Sequence, residues 1–393
     1  MQEQLSGLKI LELAPLDVTI YSFLLPLIDS LIEENLDVYI WAKDTGFGNK
    51  IKEKYSNYRN VPLFRGYNIF LHLYSFLYLI KLMKRERFIL INTHTPITGI
   101  IGRVSAFFSN IPIIIHTSHG FPFDINDKSI IKNFYILLEK ILSKITKKYI
   151  FINIEEMEFY INKKITNREK CYYIGSVGVN IEIFDRNRIN KSNYEIKREL
   201  NLPMNSFILT FVGRLTYEKG IEELIKAFLE LSKIYNNIYL LIVGKSLIGD
   251  KKIFPMSKLL QILEINENII YLGYRENIPE ILKITDIFLL PSHREGVPKS
   301  LLEAMAMENA IITTNISGIR QIIKDKENGL LIEPKDVNAL IEAIKTLIED
   351  SNLREKIKRN ARTTILNNYD EKLIALKQKN IILEEIKNYL QLN

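Results

Sequence analysis

The chain has 393 residues, 47% of them apolar and 25% charged, a balance that fits two ordinary globular domains and excludes a disordered or fibrous class. The 53 Lys and Arg against 46 Asp and Glu leave a formal net charge of +7, which suits an anionic partner: nucleic acid, an anionic membrane or an anionic substrate. Cys171 is the single cysteine, so an intrachain disulfide framework is excluded and a reducing cytoplasm is expected.

The opening Met1-Gln-Glu-Gln-Leu-Ser-Gly lacks the basic and apolar regions of a signal peptide. Short apolar strands then alternate with amphipathic helices, the pattern of a parallel α/β architecture. In the first half, strands are expected at Lys9–Leu13, Val38–Trp41, Ile89–Asn92, Ile113–His116, Tyr149–Ile152 and Cys171–Ile174. Helices are expected at Phe23–Glu33, Asn68–Arg85, Gly99–Phe108 and Ile130–Lys144. Trp41 and the aromatics from Tyr67 to Tyr78 read as packing residues rather than a binding platform. The polar run Asp185–Asn193 marks a linker, dividing the chain into 1–184 and 185–369. Beyond it, strands are expected at Phe207–Val212, Ile238–Val243, Ile269–Leu272, Ile287–Leu290, Ala310–Thr313 and Gly329–Ile332, and the tail from Tyr369 to Asn393 reads as helical. Two Rossmann-like halves result.

Three clusters carry chemistry. In Glu295-Gly-Val-Pro-Lys-Ser-Leu-Leu-Glu303 two carboxylates bracket a strand-to-helix loop, with Pro298 expected at the first helical position. Their separation along the axis would be roughly 8–12 Å, about the length of a sugar diphosphate plus ribose. The helix N-terminus between them offers amide N–H groups to an anion. In Gly213-Arg214-Leu-Thr-Tyr-Glu-Lys219-Gly220, Arg214 and Lys219 flank the turn between a strand and a helix, where two cations suit a diphosphate leaving group. In His116-Thr-Ser-His119-Gly120-Phe121, His119 follows a strand end, the ligand-binding rim of open α/β sheets, while His116 reads as structural and His293 as a possible cleft residue.

Together these pieces resemble the family 4 retaining glycosyltransferases of the GT-B fold. Gly213-Arg214-Leu215, Lys219-Gly220 and the Glu295-x7-Glu303 motif followed by Ala304 match it. So do Leu240–Gly244, Tyr271-Leu-Gly273, Asn328–Pro334, His119–Phe123, Glu139–Ser143 and Ser176–Asn180. The N-terminal pieces are similar to the branch that builds capsular, exopolysaccharide and lipid-linked glycans.

The resemblance implies two Rossmann-like domains facing across a cleft, with residues 370–393 crossing back to the first. It implies transfer of a sugar from a nucleotide diphosphate sugar, with UDP expected, to a hydroxyl of a growing lipid-linked glycan. A nucleotide-sugar epimerase of the same fold and a non-catalytic nucleotide-binding partner subunit are the alternatives. The donor site would comprise Gly213, Arg214, Lys219, Gly244, Gly273, Tyr274, Glu295, Gly296, Val297, Pro298, Lys299, Ser300 and Glu303. Within it Glu295 would contact the sugar hydroxyls and Glu303 the ribose. Arg214, Lys219, Glu295 and His119 would carry catalysis, and Asp17, Thr19, His119 and Gly120 would face the acceptor. Where many members carry a Gly-Gly pair, this chain has Ala14-Pro-Leu-Asp-Val-Thr19, and Asn180 replaces a common Asp. No cofactor and no metal are expected, because the Arg, the Lys and the helix N-terminus would carry the leaving-group charge.

Nucleic acid is not expected as a partner, for want of a basic groove with stacking aromatics. Two stretches suit an anionic membrane surface. Ile69–Met83 is apolar and ends in Lys81, Lys84, Arg85 and Arg87, yet is short of the ~20 residues that span a bilayer. Ile130–Lys148 carries Lys132, Lys140, Lys144, Lys147 and Lys148 around an Ile/Leu stripe. A cytoplasmic protein, peripheral on the inner face of the membrane, is expected.

Overall fold

The structure is a computed structural model that describes residues 5–64, 66, 68–121, 123, 130–246, 250 and 252–392. Tyr67, Pro122, Asn393 and the opening residues 1–4, which belong to stretches read above, lie outside these. The chain divides into two compact units, Met1–Gly178 with Glu371–Asn393, and Val179–Asp370.

In the first unit the described strands are β1 Lys9–Leu16, β2 Asp37–Lys43, β3 Tyr58–Asn60, β4 Leu90–His94, β5 Ile113–Ser118, β6 Lys148–Phe151 and β7 Cys171–Tyr173. They form a parallel sheet in the order β3-β2-β1-β4-β5-β6-β7. In the second unit the described strands are β8 Phe207–Val212, β9 Ile238–Val243, β10 Ile269–Gly273, β11 Ile287–Leu290, β12 Ala310–Thr314 and β13 Leu330–Ile332. Their order is β10-β9-β8-β11-β12-β13, again parallel. Each sheet reverses its winding once, at β1/β4 and at β8/β11. Such switch points open a crevice beyond the strands' C-terminal ends.

The strands form where Ile, Leu, Val and Phe run nearly unbroken, because helices cover a parallel sheet on both faces. All four residues of β11 are buried, as are the middle four of β8. The helix Ile221–Leu231 buries Ile221, Leu224, Ile225, Phe228 and Leu231, a single apolar face at helical spacing. The final helix, Glu371–Leu392, is built into the first unit: Gln378 Nε2 donates to Thr117 Oγ1 at 3.1 Å, and Lys379 pairs with Glu34 at 2.8 Å.

Several elements differ from expectation. β1 runs on past Leu13 through a register shift to Leu16. β3 was not anticipated, being three partly polar residues on the sheet edge. The helix expected at Phe23–Glu33 begins as a π turn at Ile20–Leu24 and becomes regular at Leu25–Ile32. The expected linker ends in structure: Ser192 and Glu195 make a reciprocal cap on the helix Asn193–Glu199. Pro298 is not the first helical residue. Its ψ of 115° is extended, so it is the N-cap, its carbonyl accepts from Leu301 N at 3.1 Å, and Lys299 opens the helix Lys299–Ala306.

Candidate active site

At the β8/β11 switch point, Gly213 and Arg214 follow the end of β8, and a short 3-10 turn, Tyr217–Lys219, leads to Gly220. Gly220 has φ +72°, and a Cβ there would lie 2.0 Å from the Pro291 carbonyl oxygen. Only glycine lets the Ile221–Leu231 helix start this close to the end of β11. The closeness carries Lys219 onto the β11 loop, where its Nζ meets Glu295 Oε1 at 2.5 Å. Ser292 Oγ donates to the same oxygen at 2.7 Å. Both charged side chains are largely buried, at 15% and 8% exposure.

The loop itself is wedged in place. His293 N donates to Glu218 O at 2.8 Å, and Thr314 Oγ1 donates to Ser292 O at 2.5 Å. A Cβ on Gly318 would fall 1.7 Å from the Gly296 carbonyl oxygen, so backbone packs directly on the Glu295-Gly296 turn. Val297 and Pro298 are buried, while Lys299, Ser300 and Glu303 are partly exposed along the helix that follows. Leu301, Leu302, Ala304, Met305 and Ala306 occupy its buried face. His293 Nε2 lies 3.0 Å from Glu223 Oε1, which ties the loop to the neighbouring helix.

Arg214 is not an isolated cation. Its guanidinium donates to Asp250 Oδ1, and the Asp250 side chain is only 1% exposed while the arginine is 43% exposed. Asp250 is brought there by the segment after β9, where Thr216 bridges Ile253 and Tyr217 N donates to Lys252 O at 2.9 Å. Each of the two cations read from the sequence is thus held by its own carboxylate. Asp250 and Ser292 escaped sequence reasoning, since neither lies in a motif and each is recognisable only through its partner.

Gly244 and Gly273 close the neighbouring strand ends. Gly244 N donates to Gly273 O at 2.7 Å, and a Cβ on Gly244 would lie 1.9 Å from Gly213 O. Tyr274, 53% exposed, stands past β10 with Lys245 Nζ 5.1 Å from its ring centroid.

At the β1/β4 switch point of the first unit, His119 follows β5. Its Nε2 lies 2.9 Å from His94 Nδ1, and His94 Nε2 lies 2.7 Å from Glu12 Oε2. Glu12 and His94 are fully buried. Burial pushes Glu12 up to about 8 and His94 down to about 3. His119 also falls to about 3, through burial and then through His94. His116 is buried with Nδ1 3.0 Å from Thr93 Oγ1, and burial holds it well below its usual range.

Asp17 does not present its carboxylate to an acceptor. It is fully buried, and its oxygens accept from Thr45 N at 2.9 Å, Phe47 N at 2.8 Å and the Thr45 hydroxyl. Burial works against its charge, but these donors outweigh it and hold the group below the usual carboxylate range. Asp17 therefore fastens the loop after β1 to the loop after β2. Thr19, at the end of the following helical turn, and Gly120, with φ +114°, are partly exposed.

Comparison with known proteins accords with this geometry. The family model described as glycosyl transferases group 1 matches residues 192–364. The UDP-Gal:alpha-D-GlcNAc-diphosphoundecaprenol alpha-1,3-galactosyltransferase of Escherichia coli is 29% identical over 362 residues, 91% of this chain and 92% of that protein. The capsular polysaccharide biosynthesis glycosyltransferase CapM of Staphylococcus aureus is 30% identical over 358 residues, 88% and 90% of the two chains. Among solved structures, that of Anabaena Alr3699/HepE in complex with UDP superposes with a TM-score of 0.78 at 19% identity, covering 96% of this chain and 100% of the other.

Proposed function

The chain belongs to the group 1 glycosyl transferases and has their GT-B fold, and on that footing we propose that it transfers a sugar, with retention, from a UDP-sugar to a hydroxyl of a lipid-linked glycan. The observation that carries this is the clamp of Lys219 and Ser292 on Glu295 at the β8/β11 switch point, with Arg214 one turn away. In this reading Arg214 and Lys219 take the diphosphate, Glu295 takes hydroxyls of the sugar and Glu303 those of the ribose. Gly213, Gly244 and Gly273 keep the strand ends low enough for the nucleotide to approach backbone. As the C1–O bond to the diphosphate breaks, negative charge grows on the leaving oxygen, and preorganised cations matter most at that point. The acceptor hydroxyl gives its proton to that oxygen and forms the new C1–O bond on the same face. The charge is carried by protein groups, so turnover should need no divalent cation.

Location belongs to the same proposal. Among the described residues no helix is long and apolar enough to cross a membrane. Two helices of the first unit nevertheless turn apolar faces outward. Ile69–Glu86 buries Ser75, Leu79 and Met83 and exposes Ile69, Phe70, Leu73, Tyr74 and Leu77. Ile130–Leu142 buries Tyr135, Glu139 and Leu142 and exposes Ile130, Ile131, Phe134, Leu137 and Ile141. Lys140, Lys144 and Lys147 flank the second stripe and are exposed. Lys148 belongs elsewhere: it opens β6 and donates to Glu169 O and Tyr172 Oη. Apolar stripes bordered by lysines suit the interface of an anionic leaflet, and the Escherichia coli relative's name places its acceptor on undecaprenol.

The test is transfer from a panel of UDP-sugars to an undecaprenyl-diphosphate-linked N-acetylhexosamine in the presence of EDTA. An alpha-linked product formed at undiminished rate is expected. Abolition by EDTA, restored by Mg²⁺, would overturn the assignment of the leaving-group charge to Arg214 and Lys219.

A further inference from the structure

The interior of the first sheet carries a line of polar groups that the transfer chemistry above leaves unused. Gln378 Nε2 donates to Thr117 Oγ1 at 3.1 Å. Thr117 Oγ1 donates to Asn92 Oδ1 at 2.9 Å. Asn92 Nδ2 donates to Glu12, 3.0 Å from Oε2 and 3.3 Å from Oε1. Glu12 Oε2 meets His94 Nε2, and His94 Nδ1 meets His119 Nε2. Thr117, Asn92, Glu12 and His94 are at most 1% exposed and Gln378 is 4% exposed. His119, at the far end, is half-buried and lines a pocket together with Phe23, Ser176 and Glu371.

The direction of donation is uniform from Gln378 to Glu12, and Glu12 decides whether it continues. An ionised Glu12 accepts from His94 Nε2–H, so His94 Nδ1 is a lone pair, His119 must donate through Nε2–H, and His119 Nδ1 becomes an acceptor. A protonated Glu12 donates to His94 Nε2, His94 donates from Nδ1–H, and His119 Nε2 accepts. The His119 proton then sits on Nδ1. Among the described residues no Lys or Arg hydrogen-bonds or pairs with Glu12 within 4 Å, and the side chains that hydrogen-bond it are Asn92 and His94. A carboxylate so placed has no cation to offset its desolvation. The neutral acid keeps every donor in the line pointing the same way, an arrangement in which each hydrogen bond polarises the next.

We propose that Glu12 and His94 are positioning residues for His119: they hold its ring and fix the tautomer with the proton on Nδ1, so that His119 presents a hydrogen-bond donor to substrate. The contact between His119 and substrate rests on the catalytic role that the resemblance to the retaining glycosyltransferases implies for it, whereas the tautomer does not. The upward displacement of Glu12 to about 8 by burial agrees with a protonated acid at neutral pH.

The test is ¹⁵N-histidine NMR of the full chain at pH 7, with the His119 ring assigned by His119→Gln. The expected result is the Nδ1–H form in the wild type. Glu12→Gln, whose amide still donates to His94, keeps it. Glu12→Met, of similar volume but without a donor, loses it and releases His119 to a tautomer mixture. Glu12→Ala serves as a second donor-free variant, and circular dichroism establishes that each variant is folded. In transfer from the best UDP-sugar, Glu12→Met lowers kcat about tenfold with KM little changed, and Glu12→Gln recovers most of that loss. A wild-type His119 protonated on Nε2, or one whose tautomer ignores Glu12→Met, overturns the relay. The expected tautomers with kcat unmoved by Glu12→Met overturn the positioning role. Absence of any transfer activity, with the tautomers as expected, tells against the enzyme assignment and leaves the relay standing.

Discussion

Lys219 and Glu295, 76 residues apart in sequence, meet at 2.5 Å in a site where both side chains are largely out of solvent. Breaking such a pair from one side leaves an uncompensated, partly desolvated charge. Lys219→Ala is therefore expected to lower kcat more than a hundredfold and to cost roughly 1–3 kcal/mol of stability. Adding Glu295→Gln in that background should recover the stability and not the rate. Thermal melts and initial rates on the two single variants and the double variant check this. Equal Tm values for Lys219→Ala and the double variant would show that the pair is not coupled.

Glu303 lies five positions into the helix that Lys299 opens, on its partly exposed side. A carboxylate accepting from ribose hydroxyls contributes about 1.5–3 kcal/mol. Glu303→Ala should weaken UDP binding by roughly 10- to 150-fold in calorimetry. Unchanged affinity would remove Glu303 from the nucleotide site.

Vesicle binding should depend on the outward stripe of the helix Ile130–Leu142 and the lysines beside it. Each lysine near an anionic surface contributes about 1 kcal/mol, so replacing Lys140, Lys144 and Lys147 with Gln should weaken binding by about two orders of magnitude. Phe134→Ser with Leu137→Ser should weaken it at any salt concentration, whereas the lysine effect fades as the Debye length shrinks. Sedimentation with phosphatidylglycerol vesicles at low and high salt reads both. UDP affinity, a property of the second unit, should not move.

Stability should have a defined pH window. Burial holds His94 and His119 near 3 and His116 well below the ordinary 6.5. Below pH 6.5 the unfolded chain thus takes protons that the folded unit refuses, and stability falls as pH falls. Burial pushes Glu12 and Glu156 from 4.5 up to about 8. Between those values the folded unit keeps two protons that the unfolded chain releases, which by itself lowers stability as pH rises. From about 4.5 to 6 the three histidines outweigh the two carboxyls by one proton, so stability still rises with pH, by about 1.4 kcal/mol per pH unit. Above 6.5 only the carboxyls act, at about 1.4 kcal/mol per group per pH unit. The Tm should be highest near about pH 6 and decline towards pH 8. Glu156→Gln should flatten the alkaline side, and a Tm constant from pH 6 to 8 would contradict the protonated carboxyls.

Much of the fold was legible because parallel strands advertise themselves. Phe207–Val212, Ile238–Val243 and Ile287–Leu290 have in the structure the bounds their apolar runs suggest. Polar strand residues were opaque. Glu12, Asn92 and Thr117 interrupt apolar strands without local reason, and their purpose lies in one another, across 80 and 25 residues. The same holds for Asp250, whose role exists only beside Arg214. Asp17 was misjudged because a loop acid next to a strand end looks solvated until the Thr45 and Phe47 amides are seen to claim it. Motif spacing revealed which residues share a loop; which carboxylate neutralises which cation is a property of the assembled sheet.

The placement of the final helix sets a timetable for synthesis. Its buried Ile374, Ala375, Ile382 and Ile386 belong to the first unit, and its Lys379 reaches Glu34 from 345 residues away. The second unit is continuous from Val179 to Asp370 and can complete itself as soon as its own last residue clears the ribosome. The first unit cannot. Its sheet emerges early and then waits for the roughly 190 residues between Gly178 and Glu371, about 10–40 s at ordinary elongation rates. Throughout that interval the surface that the helix will cover stays open to water, chaperones and other nascent chains. The half of the molecule that is made first is therefore the half that finishes folding last.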